Sequence, residues 1–410
     1  MTSFPNAPAP QRRFLKRTSP PHLMTLVLLA GVAALSMNIF LPSLPSMAVH
    51  FDTEPWLVAL AVPVYLGVNA VLQLCIGPIS DRYGRRPVLL WSILVFLLAT
   101  LGTLAATSIE VFLIFRMGQA TIVAGLVLSR AVVRDMVGPD EAASMIGYVT
   151  MGMALVPMVG PMVGGVLDQA FGWQANFWLL FGAGLLIFWL VWADLGETAT
   201  ATSNSFAEQV RDYPELLTSP RFWGYCTASA LASGAFFAFL GGAPFVATDT
   251  FHLSPTVMGA YFGFPAMGYA VGNFISGRYS SRVGLNRMVL TGTLITCFGL
   301  STLIILYLTV SLQTTVFFAF FICIGLGNGL AIPNAMAGML SVRPHLAGTA
   351  SGLGGAIMIG GGAALSALAG SLLTPGSGPM PLLILMLLTS FSSVIVVLLV
   401  IARARKIALG

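Results

Sequence analysis

Apolar residues fill this chain in long blocks, separated by short knots of charge, proline and glycine. Most blocks reach about twenty residues, the length a helix needs to cross the hydrocarbon of a bilayer. The breaks predict twelve membrane-spanning helices, at 23–47, 55–77, 87–107, 109–131, 142–168, 173–193, 221–247, 254–277, 287–310, 313–339, 346–373 and 380–402. The longest polar connection, 194–220, separates spans six and seven and reads as a linker between two six-helix bundles, 23–193 and 221–402. Residues 1–22, with five prolines and four basic residues, read as a disordered tail, and 403–410 as a second short tail. The first apolar run is too long for a signal-peptide core and is expected to stay as span one.

The second half repeats the first. At a shift of 200 residues, Phe51, Pro55, Gly77, Ser80, Arg82 and Gly84 fall on Phe251, Pro255, Gly277, Ser280, Arg282 and Gly284 without a gap. Six identities at one offset, all beside turns, predict two homologous bundles related by an axis along the membrane normal, as in transporters with parallel repeats.

Composition agrees. The 410 residues are 57% hydrophobic and 8% charged, against about 25% charged in a soluble domain. The net charge of +5 does not point to nucleic acid, because the basic residues punctuate apolar spans instead of forming a groove-sized patch. Eighteen of the nineteen lysines and arginines fall on the side of the N-terminus; the other, Arg116, is inside span four. The positive-inside rule then puts both termini in the cytoplasm of a multi-pass protein of the inner (plasma) membrane. The four cysteines lie in apolar spans, without CxxC spacing or a disulfide framework. No metal or cofactor is expected.

Four motifs carry chemistry. Gly77-Pro-Ile-Ser-Asp-Arg-Tyr-Gly-Arg-Arg-Pro87 joins spans two and three, with Gly77 and Gly84 able to turn sharply and Asp81 able to cap a helix or pair with arginine. Span four carries Arg116-Met-Gly-Gln119, an intramembrane cation that by default is functional and faces the bundle interior. Span five carries Gly152, Pro157, Gly160, Pro161, Gly164 and Gly165, two prolines that bend the helix and a small-xxx-small face. Span one carries Ser36-Met-Asn-Ile-Phe-Leu-Pro-Ser-Leu-Pro45.

These segments resemble the signatures of the major facilitator superfamily. The loop matches its 2–3 signature, span five its exporter motif GxxxxxxxGPxxGG, and span one the drug:proton antiporters, most closely the Bcr/CflA multidrug efflux family. Gly172-Trp-Gln-Ala-Asn-Phe-Trp178 and Leu195-Gly-Glu-Thr198 extend the likeness through the first half. The resemblance implies an all-α, twelve-helix fold of two pseudo-symmetric bundles and secondary active efflux by alternating access. It implies gating roles for Gly77, Asp81, Arg82, Gly84, Arg85, Arg86 and Arg134. The chain departs from the branch at Asn38, where aspartate is common, and at Ala120, where glycine usually follows Gln119.

The fourteen acids all lie at loops or helix ends, and none follows Asp249. The expected substrate cavity is therefore lined by uncharged groups and one arginine: Asn38, Tyr65, Asn69, Arg116, Gln119, Phe236, Phe237, Tyr269, Asn273, Asn328 and Asn334. Such a cavity favours neutral or anionic amphiphiles over cations. Proton coupling, if present, would use an acid at the membrane edge, Asp168 or Asp135. A metabolite facilitator or importer is the competing transport reading. A membrane sensor would need a sizeable soluble domain, an enzyme a nucleophile or metal cluster, and an ATP-driven pump a P-loop, and the chain offers none of these. The chain is expected to act as a monomer on a small-molecule substrate within the lipid bilayer.

Overall fold

The computed structural model describes residues 21–137, 145, 149, 156, 159–199, 214–343, 346–374 and 376–409. Ten helices among them are long and apolar enough to cross a membrane. They correspond to spans one to four, six, seven and nine to twelve. Much of the first part of span five lies outside the described residues, as do Gly152 and Pro157. Span eight is helical but broken, Pro255–Tyr261 and Gly263–Val283, and less apolar because glycine, tyrosine, asparagine and serine make up its packing faces.

Proline sets several of the breaks. A proline has no N–H to give the carbonyl four residues back, and helices Pro55–Ala59 and Pro255–Tyr261 end at the residue four before Pro63 and Pro265 respectively. In span one, Pro42 and Pro45 follow a helix that ends at Asn38, and a 3-10 turn, Leu41–Ser43, leads into Leu44–His50.

The internal repeat is visible in the backbone. Gly84 and Gly284 have φ 94° and 91° with ψ 149° and 144°. Asp52 and His252 are the two described non-glycine residues with positive φ, 46° and 50°. Loops 2–3 and 8–9 are shorter than the charge pattern predicts. The helices run to Tyr83 and Val283 and restart at Arg85 and Leu285, so one glycine makes each turn. The polar ends of these helices extend past the apolar core, where headgroups and water can solvate them.

Each half packs alike: span three on six and four, and one on four and six in the first; span nine on twelve and ten, and seven on ten and twelve in the second. Span ten is held to span eight backbone to backbone: a β-carbon on Gly268 or Gly325 would overlap the carbonyl oxygen of Ile322 or Pro265. Small residues let helices approach this closely in lipid, where dispersion and weak polar contacts must hold them. A single buried apolar cluster joins the halves, running from Leu41 and Leu44 to Phe237, Phe239 and Ala369.

Candidate functional site

Arg116 is fully buried, and the residues around it leave none of its charge bare. Its guanidinium lies 4.4 Å from the centroid of Phe40 and 4.2 Å from that of Tyr65, between two aromatic faces. Its edge donates to the Ser36 carbonyl at 2.7 Å, the Gln119 Oε1 at 2.7 Å, the Ser36 hydroxyl at 3.4 Å and the Ala61 carbonyl at 3.4 Å. Gln119 passes the network on, donating to Thr100 at 2.9 Å, which donates to the Phe96 carbonyl at 2.7 Å. Oxygen dipoles and ring faces thus take the place of a carboxylate. The Ser36 and Ala61 carbonyls lie beside the helix breaks of spans one and two, and a 3-10 turn at Ala120–Ile122 follows Gln119.

Asn38 is not a partner of Arg116. Its amide donates to Ala34 O in its own helix at 3.2 Å, and its buried Oδ1 accepts nothing. Asn69 accepts from Gln73 at 2.7 Å. Asn334 donates to Ser276 at 2.8 Å and Leu330 O at 2.7 Å, and Asn273 to Tyr269 O at 2.9 Å. Asn328 is buried with Oδ1 unpartnered. The Phe237 ring occupies the space a side chain on Gly362 would need, while Phe236 beside it is half-buried. The structure therefore joins Tyr65, Arg116 and Gln119 in one network, and leaves the asparagines at separate helix contacts.

The two halves close on each other at the face away from loop 2–3. A β-carbon on Gly165 of span five would overlap the Pro255 carbonyl of span eight, and one on Gly259 would overlap the Pro161 carbonyl. The contact is reciprocal. Thr256 adds a hydrogen bond to Gly165 O at 3.3 Å. Gly164 and Gly160 face span one instead, against Ile39 and Leu35. Spans two and eleven touch along a line from Ala59–Gly370 through Ala70–Gly360 to Gln73–Gly355, and a β-carbon on Gly77, Gly277 or Gly284 would meet nothing within 4 Å among the described residues. At the basic face no hydrogen bond or ion pair joins the halves among the described residues.

That face instead holds an ionic cluster within the first half. Arg85 pairs with Asp81 one turn back and with Asp135 of span four at 3.1 Å. Glu197, after span six, accepts from the backbone N–H groups of Arg85 at 2.8 Å and Arg86 at 3.3 Å, capping the helix that begins there. Arg86 donates to Trp192 O at 3.1 Å, and Thr198 to Asp135 at 3.3 Å. Arg82 lies over the Tyr83 ring, and Arg134 is exposed. Sequence reasoning missed Glu197 and Asp135 as members of this cluster; the one signal was an acid immediately after span six and another beside Arg134. It also missed Gly259 and Pro255, whose role depends on a span from the other half.

Comparison with known proteins agrees with this architecture. The model of the Major Facilitator Superfamily matches residues 26–367 and, separately, 248–408. An uncharacterized MFS-type transporter of Bacillus subtilis, YdgK, is 32% identical over 84% of this chain and 87% of its own. A chloramphenicol resistance protein of Pseudomonas aeruginosa is 30% identical over 80% of this chain and 79% of its own. Among solved structures, that of peptide transporter POT in complex with sulfate superposes with a TM-score of 0.77 at 14% identity, covering 97% of each chain.

Proposed function

The chain belongs to the major facilitator superfamily, and from that premise we propose that it exports small amphipathic compounds of the phenicol type by alternating access. It is a multi-pass membrane protein and a secondary active efflux transporter. The observation that carries the mechanism is the reciprocal seal of Gly165 on Pro255 and Gly259 on Pro161, set against Gly77 and Gly277, where a β-carbon would meet nothing within 4 Å among the described residues. In this reading the basic face is cytoplasmic, both termini lie in the cytoplasm of the inner membrane, and the described state is open inward. Substrate enters the cleft from the cytoplasm or inner leaflet. The halves then rock, the Gly165–Pro255 seal parts, and the spans beside Gly77 and Gly277 close.

Arg116 supports this motion as a fixed joint. Three hydrogen bonds and two ring faces tie span four to the breaks of spans one and two, so the first half moves as one body. Proton linkage is part of the proposal, and Asp168 is the carboxylate assigned to it. Asp168 is buried at the end of span five, with the Ser46 hydroxyl 3.1 Å from both its oxygens. Such a group can lose or gain a proton as the nearby seal opens. The chain is taken to work as a monomer.

Counterflow of radiolabelled chloramphenicol in proteoliposomes tests the proposal. Exchange above that of empty liposomes is expected, stimulated by an imposed pH gradient in the native protein and not in Asp168→Asn. Absence of exchange overturns the export reading; a gradient response that survives in Asp168→Asn overturns the proton assignment alone.

A further inference from the structure

Spans seven and twelve enclose a groove of about 530 Å³ at the basic end of the second half. Trp223, Gly224 and Thr227 form one wall and Val396, Val400 and Arg403 the other, each set spaced to share one helix face. The register between the walls is fixed. A β-carbon on Gly224 would overlap the Val400 side chain, and the Ser393 hydroxyl donates to the Ala228 carbonyl at 3.0 Å. The helices therefore run antiparallel, with Arg403 level with Pro220, where span seven starts, and Val396 level with Thr227. From its charged mouth to its apolar end the groove is about 10 Å long, at 1.5 Å per helical residue. Its floor is the contact of Gly224 with Val400, where the missing side chain of the glycine leaves the depth.

The groove opens to lipid. Leu399, on its rim, is 65% exposed. Trp223 is 41% exposed and donates its indole N–H to the Leu217 carbonyl at 2.7 Å, the posture of a tryptophan at headgroup level. Arg403 is exposed at that level, and makes no hydrogen bond or ion pair among the described residues. The positive end of the thirty-residue helix Pro220–Asp249 lies beside it. No acid is among the residues that line the groove, and Glu215, the acid just before span seven, is paired with Arg343 at 2.8 Å. An apolar trough suits an acyl chain and an unpaired guanidinium suits a phosphate. With no carboxylate to receive an ammonium group, a headgroup of net negative charge fits better than a zwitterionic one.

We propose that this groove is a binding site for an anionic phospholipid, whose phosphate rests on Arg403 beside the first turn of span seven and whose acyl chain lies over Gly224 and Val400 toward Thr227 and Val396. The lipid splints the first and last helices of the second half where the chain enters it from the linker. On the orientation given above it belongs to the cytoplasmic leaflet, but binding does not depend on the direction of transport.

The test compares two lipids with the same dioleoyl chains, phosphatidylglycerol and phosphatidylcholine. Each is titrated into the delipidated full chain in detergent, and the rise in melting temperature reports binding. Phosphatidylglycerol is expected to half-saturate at a roughly tenfold lower concentration at low salt, with the gap narrowing as salt rises. Arg403→Gln should bring the two lipids within about twofold of each other. Arg403→Lys, which keeps the charge, should retain a several-fold gap, and serves if the glutamine variant is poorly folded. Arg282→Gln, exposed on the same basic face but outside the groove, should keep the native gap. Thr227→Phe, which fills the acyl trough, should weaken both lipids alike. Glycerol 3-phosphate, a headgroup without chains, should displace neither. Equal half-saturation of the native chain by the two lipids overturns the site. So does a gap that survives Arg403→Gln, a gap lost as fully in Arg282→Gln, or displacement by glycerol 3-phosphate.

Discussion

Gly165 of span five and Pro255 of span eight stand so close that a β-carbon on the glycine would overlap the proline carbonyl oxygen. Because that oxygen belongs to a helix backbone, no rotamer change can relieve the overlap, and one half must move. Gly165→Leu is therefore expected to hold the halves apart at this face. Spin labels at Val49 and Ser377, which line a cavity of about 400 Å³ between the halves there, should move apart in a background lacking the four native cysteines. An unchanged distance distribution would mean that the seal is plastic.

The sandwiched arginine should resist conservative replacement. Lysine cannot present a planar fork to Ser36 O, Gln119 and Ala61 O at once, and glutamine leaves buried carbonyls without donors, at about 1–3 kcal/mol each. Arg116→Lys and Arg116→Gln should both lower the melting temperature by several degrees in detergent, glutamine more. A glutamine variant as stable as the native chain would place Arg116 in substrate binding instead of structure.

The basic-face cluster should behave as a unit. Arg85 bridges Asp81 and Asp135, so once either acid is removed the loss of the other should cost little more. Asp81→Asn and Asp135→Asn should each slow transport several-fold with membrane abundance intact. The double variant should fall well short of the product of the two effects. Multiplicative effects would show that the two acids act separately.

Much of this was legible in the sequence. Runs of apolar residues marked the helices, and the 200-residue echo is borne out by matched backbone angles at Gly84 and Gly284 and at Asp52 and His252. A family motif drew attention to Gly164 and Gly165, but not to their different partners, Ile39 and Pro255. Those contacts depend on helices far apart in sequence. The partners of Arg116 were hidden for another reason: two are backbone carbonyls, exposed by helix breaks that residue identity signals only through nearby proline. The sequence offered no mid-membrane carboxylate for Arg116, and its hydrogen bonds go instead to Ser36, Gln119 and the Ala61 carbonyl.

Restoring an acid at position 38 gives a further expectation. Asn38 Oδ1 is buried and unpartnered, so Asn38→Asp would place an oxygen there with no donor to steady its charge. Desolvation favours the protonated form. The variant should resemble the native protein at low pH. As pH rises and the acid ionises, neutral-substrate exchange should weaken and cation tolerance increase. Exchange with the same pH profile as the native chain would mean that position 38 does not face the substrate.

Accumulation of radiolabelled chloramphenicol in inside-out membrane vesicles, comparing the native chain with Gly165→Leu at equal abundance, tests the central claim most directly. The native protein should drive uptake well above vesicles lacking it, and the variant should leave uptake near that background. No uptake by the native chain, or equal uptake by both, would contradict export through a cleft sealed by Gly165 and Pro255.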